Sequence, residues 1–406
     1  MKTKNIHQPN RFPRLGMMIL LVLLALGFAY PERSGAQYEL EAQGTAGNVF
    51  NWLTLPIEES KTFTNMGNKS LRIDSSKRPR VVYGGEGLYY ATWTGSAWDI
   101  KTVDSSPGVG EYASLALDSS NQAHISYYDS VKQDLKYAKW SNSTNSWTIT
   151  TVDGVDKEVG GFTSIDLDSS NKTQIVYFDD TNDNLKYARW TGSEWNIQTL
   201  DSQGVVGLYA SMYIDGSNKV HVSYFDFTNK SLKYAVRSGT TWTVSTIDDP
   251  SGASVGKYSS IDVDFSGFPH ISYYDETNKT LKYARSIGTE WVINVVDQDS
   301  GMYSSIETDG NNTPHISYFS DPSDNLRHAW KPSTTWQKED VQTDGNVGYF
   351  TSLAVDGDNH IHISYLRLDT GELRHAEKTN TWTAQTIATS TGVNNYSSIA
   401  VGTNGQ

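Results

Sequence analysis

The chain has 406 residues, 37% of them hydrophobic, with 24 tyrosines, 12 tryptophans and no cysteine. Lys and Arg number 33 against 46 Asp and Glu, a formal charge of −13, so the surface repels phosphate backbones and nucleic acid is excluded as an expected partner. The lack of cysteine excludes disulfides, thiolate nucleophiles and Cys-based zinc sites, while the aromatic abundance suits many short strands with rings filling thin layers between sheets.

At the start, Lys2, Lys4, Arg11 and Arg14 precede an apolar run over residues 17–30, and Ser34-Gly35-Ala36 follows. Basic, apolar, then small is the layout of a secretory signal peptide. The run is near 14 residues, short of the ~20 that cross a bilayer. Residues 1–36 are therefore expected to direct export and be cleaved after Ala36, leaving a secreted, extracellular protein with no membrane span. Residues 37–47 read as a flexible N-terminal segment, and 48–406 as one repeat domain.

From there a Gly-x-aromatic start recurs, its aromatic residues being Tyr112, Phe162, Tyr209, Tyr258, Tyr303, Phe350 and, with Asn394 in the glycine position, Tyr396, at gaps of 50, 47, 49, 45, 47 and 46 residues. Each of the first six leads to an Asp (118, 168, 215, 264, 309 and 356). A His-Ile-Ser-Tyr-type run follows, as at His124-Ile125-Ser126-Tyr127, then Leu-Lys-Tyr-Ala, as at residues 135–138, then a Trp-led run, as at Trp147, Trp195 and Trp242. Four β-rich runs separated by Asp, Asn, Ser and Gly read as four antiparallel strands joined by tight turns. A four-stranded unit repeated every ~40–50 residues is the signature of a β-propeller. Stacking the sheets around an axis buries faces that are moderately apolar on both sides, and closure removes exposed ends.

Seven complete units begin near residues 70, 113, 163, 210, 259, 304 and 351. Trp52-Leu53-Thr54-Leu55 reads as a spare fourth strand, and Ser397-Ser398-Ile399-Ala400-Val401 as a spare first strand. The expectation is an all-β propeller with a partial eighth blade shared by the termini, in a chain cut short after Gln406. The alternative is a seven-bladed ring with two flanking strands.

With the first strand of each unit innermost, one face carries Asp129, Asp179, Asp226 and Asp275 at second-strand ends and Asp153, Asp201, Asp248 and Asp297 at fourth-strand ends. The aromatic row, including Tyr112, Tyr209, Tyr258 and Tyr303, stands near the mouth of the channel. Aromatics beside carboxylates suit a sugar's apolar face and hydroxyls, and carboxylate oxygens suit calcium. No other cofactor is expected. The alternative for each residue is structural: Asp caps turns through its own backbone and aromatics pack blade joints. His124, His221, His270, His315 and His362 sit at one repeat position, too far apart to share an ion, and are expected to make structural hydrogen bonds.

The turn between third and fourth strands often ends Gly-x-x-Trp, best seen at Ala235-Val236-Arg237-Ser238-Gly239-Thr240-Thr241-Trp242. Here the chain resembles sialidase-like propellers, whose Asp-box occupies this turn, although Ala235 and Arg237 replace its Ser and Asp. It also resembles bacterial lectin propellers. The expectation is a non-catalytic binding propeller for extracellular glycan or a surface protein. A sialidase-like glycoside hydrolase and a structural or assembly module are the alternatives. No catalytic constellation is visible: Arg189 and Arg285 are repeat features of different blades, and no unit carries a large insertion.

Overall fold

A computed structural model describes residues 63, 66–155 and 157–389. The first blade consists of β1 (Leu71–Ile73), β2 (Pro79–Gly84), β3 (Leu88–Trp93) and β4 (Trp98–Asp104); the second of β5 (Val109–Leu117), β6 (Ala123–Asp129), β7 (Asp134–Ser141) and β8 (Ser146–Asp153). Five more blades follow over residues 159–201, 206–248, 255–298, 300–342 and 347–389. Each of the seven is a four-stranded antiparallel sheet in sequence order, so the chain is an all-β propeller.

The Asp that follows each first strand explains the tight turns. Asp118 Oδ1 accepts the backbone N–H groups of Ser120 and Gln122, and the N–H of Asn121 donates to the Asp118 carbonyl. The second strand is buried along its whole length in blade 2, because a blade covers each of its faces. Its Ile125 and Tyr127 belong to an apolar cluster with Val82 and Tyr90 of blade 1.

Tryptophans weld the joints. Trp147, near the start of β8, meets Tyr90 of the preceding blade edge-on with ring centroids 5.5 Å apart. The contact recurs as Trp195 on Tyr137, Trp242 on Tyr187, Trp291 on Tyr234, Trp336 on Tyr283 and Trp382 on His328. Trp98 of blade 1 completes the circle on His375 of blade 7, at 5.5 Å. Blades 1 and 7 thus pack directly together, with Leu71 and Val81 in one cluster with Leu366 and Leu373. The Leu71 N–H donates to Ser352 Oγ at 3.0 Å, and Lys77 pairs with Asp358. The ring closes at seven. The flanking strands expected at 52–55 and 397–401 lie outside the described residues, as do Tyr396 and the leader sequence.

Candidate functional site

The aromatic row forms a ring over one mouth of the channel, and the Gly-x-aromatic motif is the reason. Gly207 has φ +107, and a Cβ there would sit 2.9 Å from Leu185 Cα of the preceding blade. Two residues on, Tyr209 takes φ +53, and the pairing register shifts on either side. This bulge bends the inner strand and swings the ring over the axis. Tyr112, Phe162, Tyr209, Tyr258, Tyr303 and Phe350 then follow one another with centroids 4.6, 4.8, 4.8, 4.7 and 4.6 Å apart. The sequence-derived candidates Tyr112, Tyr209, Tyr258 and Tyr303 are thereby brought together. Each ring packs against its neighbours, so much of its face is already covered.

Asn68 occupies the aromatic position in blade 1, and the segment around it blocks the channel. Met66 pairs in parallel with Ala113. The Asn68 carbonyl accepts from Ser305 Oγ (2.9 Å) and Ser352 Oγ (3.1 Å), and its amide donates to the Ser259 carbonyl (2.6 Å). Between this plug and the rings is an axial cavity of about 80 Å³.

Asp129, Asp179, Asp226 and Asp275 stay apart, one per blade, and are 1–2% exposed. Each caps its own turn: Asp129 accepts from the Val131 and Lys132 N–H groups, and Asp226 and Asp275 from the backbone and side-chain amides of Asn229 and Asn278. The fourth-strand acids bridge blades. Asp153, Asp201, Asp248 and Asp297 accept from Tyr177, Tyr224, Tyr273 and Tyr318 of the next blade at 2.7–2.8 Å, and pair with Lys186, Lys233, Lys282 and Arg327. Burial alone would raise Asp104, at the same position, but bonds from Ser106 and Tyr127 and the charge of Lys136 outweigh it and hold the carboxyl at about 2.

The recurrent histidines lie in buried polar chains, and His221 and His270 bond through both ring nitrogens. His270 reaches Asp264 through Nε2 (3.1 Å) and Tyr283 Oη through Nδ1 (2.6 Å). Gln174 and Arg80 replace it in blades 3 and 1 and still contact Asp168 with Tyr187 and Asp74 with Tyr90. Arg189 and Arg285 pair with Asp168 and Asp264 of their own blades.

Two features escaped the sequence reading. The first is a polar groove of about 270 Å³ between blades 1 and 2, lined by Arg80, Tyr90, Thr92, Lys101, Ser120, Asn121, Trp140 and Asn142. Lys101 Nζ lies 4.7 Å from the Trp140 ring centroid, Trp140 Nε1 donates to Asn142, and Arg80 is fixed by Asp74. The Arg80 departure from the histidine pattern was its one visible sign. The second is a charged tier on the inner strands, two residues beyond the recurring Ser: Arg72, Ala116, Asp166, Tyr213, Asp262, Glu307 and Ala354 in blade order. Variation at a position between conserved flanks was the available signal.

Among the described residues one group, Asp356, Asp358 and His360, places three ligand atoms within 4.8 Å of one another. Asp356 there caps the blade 7 turn through the N–H groups of Asp358 and His360, as its equivalents do in other blades, and Asp358 is held by Lys77. The cluster is accounted for as a turn, and a histidine ligand suits calcium poorly.

No protein-family model matches the chain, and no curated protein does. Among solved structures, it is similar to a PL25 ulvan lyase at 12% identity, covering 82% of this chain and 95% of that one with a TM-score of 0.55. The SapL1 lectin in complex with α-methyl fucoside aligns at 12% identity over 81% and 96%, with a TM-score of 0.43. The NanB sialidase from Streptococcus pneumoniae aligns at 13% over 79% and 68%, also at 0.43. At such identities the likeness is one of fold, and folds host unrelated functions.

Proposed function

We propose that the chain is a secreted, non-catalytic propeller that binds extracellular carbohydrate in the groove between blades 1 and 2. The groove carries the proposal. Its volume of about 270 Å³ accommodates a sugar ring. Trp140 supplies apolar surface, and Arg80, Lys101, Asn121 and Asn142 supply donors and acceptors at the rim, a mixture suited to a saccharide. No acidic side chain lines it, so it lacks the carboxylate pair of glycoside hydrolysis. The sialidase-like alternative gains nothing from Arg189 and Arg285, which serve their own blades.

The test is a glycan array probed with residues 37–406, with and without calcium, alongside Trp140→Ala. Saturable binding to one sugar class is expected, weakened more than tenfold in Trp140→Ala with the far-ultraviolet spectrum unchanged. Undiminished binding by the variant would place the site elsewhere, and silence from well-folded wild type would favour a protein partner. Loss of binding on calcium removal would point to the Asp-rich turns instead.

A further inference from the structure

Beyond its recurring Leu, the third strand of each blade runs out at the face that holds the groove, and successive side chains there point to opposite sides of the sheet. The fourth residue after Leu faces the following blade, on the side where Tyr137, two residues before Lys139, meets Trp195. The fifth faces the preceding blade, as Trp140 does toward Lys101. These positions set the charge of each joint. Blades 1 and 2 bring Lys101 against Trp140, blades 2 and 3 bring Lys139 with Trp190, and blades 3 and 4 bring Arg189 with Arg237. The run stops on both sides, with Val236 and Ser286 between blades 4 and 5 and Glu377 and Trp93 between blades 7 and 1. Three neighbouring joints thus form a basic arc with the groove at one end.

Each of these joints holds one cation that is not tied to a buried carboxylate. Lys139 makes no hydrogen bond and no ion pair within 4.0 Å among the described residues. Arg237 lies over the Tyr187 ring, 5.7 Å from its centroid, and makes one hydrogen bond, to Tyr187 Oη at 3.4 Å, while its buried Nε has no acceptor. Lys101 has Asp99 at 3.9 Å, but the two side chains are 43% and 51% exposed, so water screens the pair. Arg80 and Arg189, by contrast, are held by Asp74 and Asp168. Those two acids and Asp118 are buried turn caps, and the exposed Glu194 sits in the outer turn of blade 3. The acidic excess of the chain is turned away, with Asp249, Asp321 and Asp324 exposed on the opposite face.

We propose that the arc binds an extended anionic polysaccharide, bearing carboxylate or sulfate groups, with one sugar in the groove and its neighbours over the next two joints, their anionic groups on Lys101, Lys139 and Arg237. The proposal rests on the groove being a saccharide site and names the class of saccharide. Stacked sheets lie roughly 10 Å apart, so three joints suit a run of several sugars rather than one. The half-buried rings of Trp140 and Trp190 offer apolar surface between the charges.

Titration of residues 37–406 with dextran sulfate, alginate, neutral dextran and polyglutamate tests it. At least one of the two charged polysaccharides should bind, and dextran and polyglutamate at least tenfold more weakly. Lys139→Gln combined with Arg237→Gln should weaken binding tenfold or more; neither side chain neutralises a buried acid, so the urea midpoint should stay at the wild-type value. Lys331→Gln, which removes a cation of the same face outside the arc, should bind as wild type does. Silence from both charged polysaccharides, equal binding of polyglutamate, or full affinity in the folded double variant would overturn the proposal. If a neutral sugar binds, and Trp140→Ala abolishes that binding while the double variant keeps it, the groove reading stands and the anionic class falls. Undiminished binding of the charged polysaccharide by Trp140→Ala would remove the groove from the path, and the reading on which the proposal rests with it.

Discussion

Asp201 shows how much one repeated side chain holds. It joins blade 3 to blade 4 by accepting from Tyr224 at 2.7 Å and pairing with Lys233, whose side chain is 10% exposed. Asp201→Ala leaves that ammonium only Asp226, 3.9 Å away, so a loss of about 3 kcal/mol is expected, read from urea denaturation. The histidines set the response to pH. Burial, aided by the charge of Lys139, lowers His124 to about 4 against the opposing pull of Asp118, so the folded imidazole stays neutral while the unfolded one gains a proton near pH 6.5. Between those values the unfolded chain binds more protons, and stability falls as pH falls. Below about pH 4 the depressed carboxyls, such as Asp104 at about 2, continue the decline. His124→Gln, the natural choice at Gln174, should flatten the pH 6.5-to-4 part of the urea midpoint curve; an unchanged slope there would remove His124 from the account. The histidine position and its structural role were legible because five blades repeat it. The Asp–Tyr–Lys bridge was half legible: the residues recur, but that the acid belongs to one blade and its partners to the next depends on how the sheets stack.

In the inner strand, the motif visible as Gly-x-aromatic-x-Ser separates into three jobs. The glycine lets the strand approach the preceding blade, the aromatic roofs the channel, and the serine latches forward: Ser164 Oγ accepts the Met212 N–H at 3.0 Å, as Ser114 accepts from Ile165 and Ser211 from Ile261. Ser164→Ala leaves a buried N–H unpaired and should cost about 1–3 kcal/mol by chemical denaturation. Gly207→Ala should cost more, since the left-handed conformation alone carries about 1–3 kcal/mol and the new methyl meets Leu185 backbone. A tolerated Gly207→Ala, with an unchanged melting temperature, would contradict that reading of the motif. The repeat announced that these residues mattered. It could not say that Thr163 or Ala210 faces the cavity while Leu115 faces the core, because the bulge resets the two-residue alternation that such reasoning uses.

Across the whole ring, the seven units and their four-strand make-up followed from periodicity, since every joint reuses the same Trp, Leu and Asp chemistry. The groove and the charged tier were not legible for the opposite reason: each depends on residues that depart from the repeat, brought together from different blades. Blade 1 departs most, having Arg80 for histidine, Asn68 for the aromatic ring and a three-residue first strand. Deleting residues 1–104 should bare the apolar flanks of blades 2 and 7 and prevent closure. Dye binding to exposed apolar surface and a larger hydrodynamic radius are expected; a compact six-bladed product would show that blade 1 is dispensable.

The segment through the axis also imposes an order in time. Asn68 is made early, yet its partners Ser259, Ser305 and Ser352 stand 191 to 284 residues later. As the chain emerges N-terminus first, this strand waits in solution until blades 5, 6 and 7 exist to clasp it. The last blades therefore fold around the first segment, as a hoop is drawn tight on a peg. Closure is the step of greatest sequence separation and so the slowest expected; a newly made chain halted at blade 6 would be an open arc with its peg in place and no hoop.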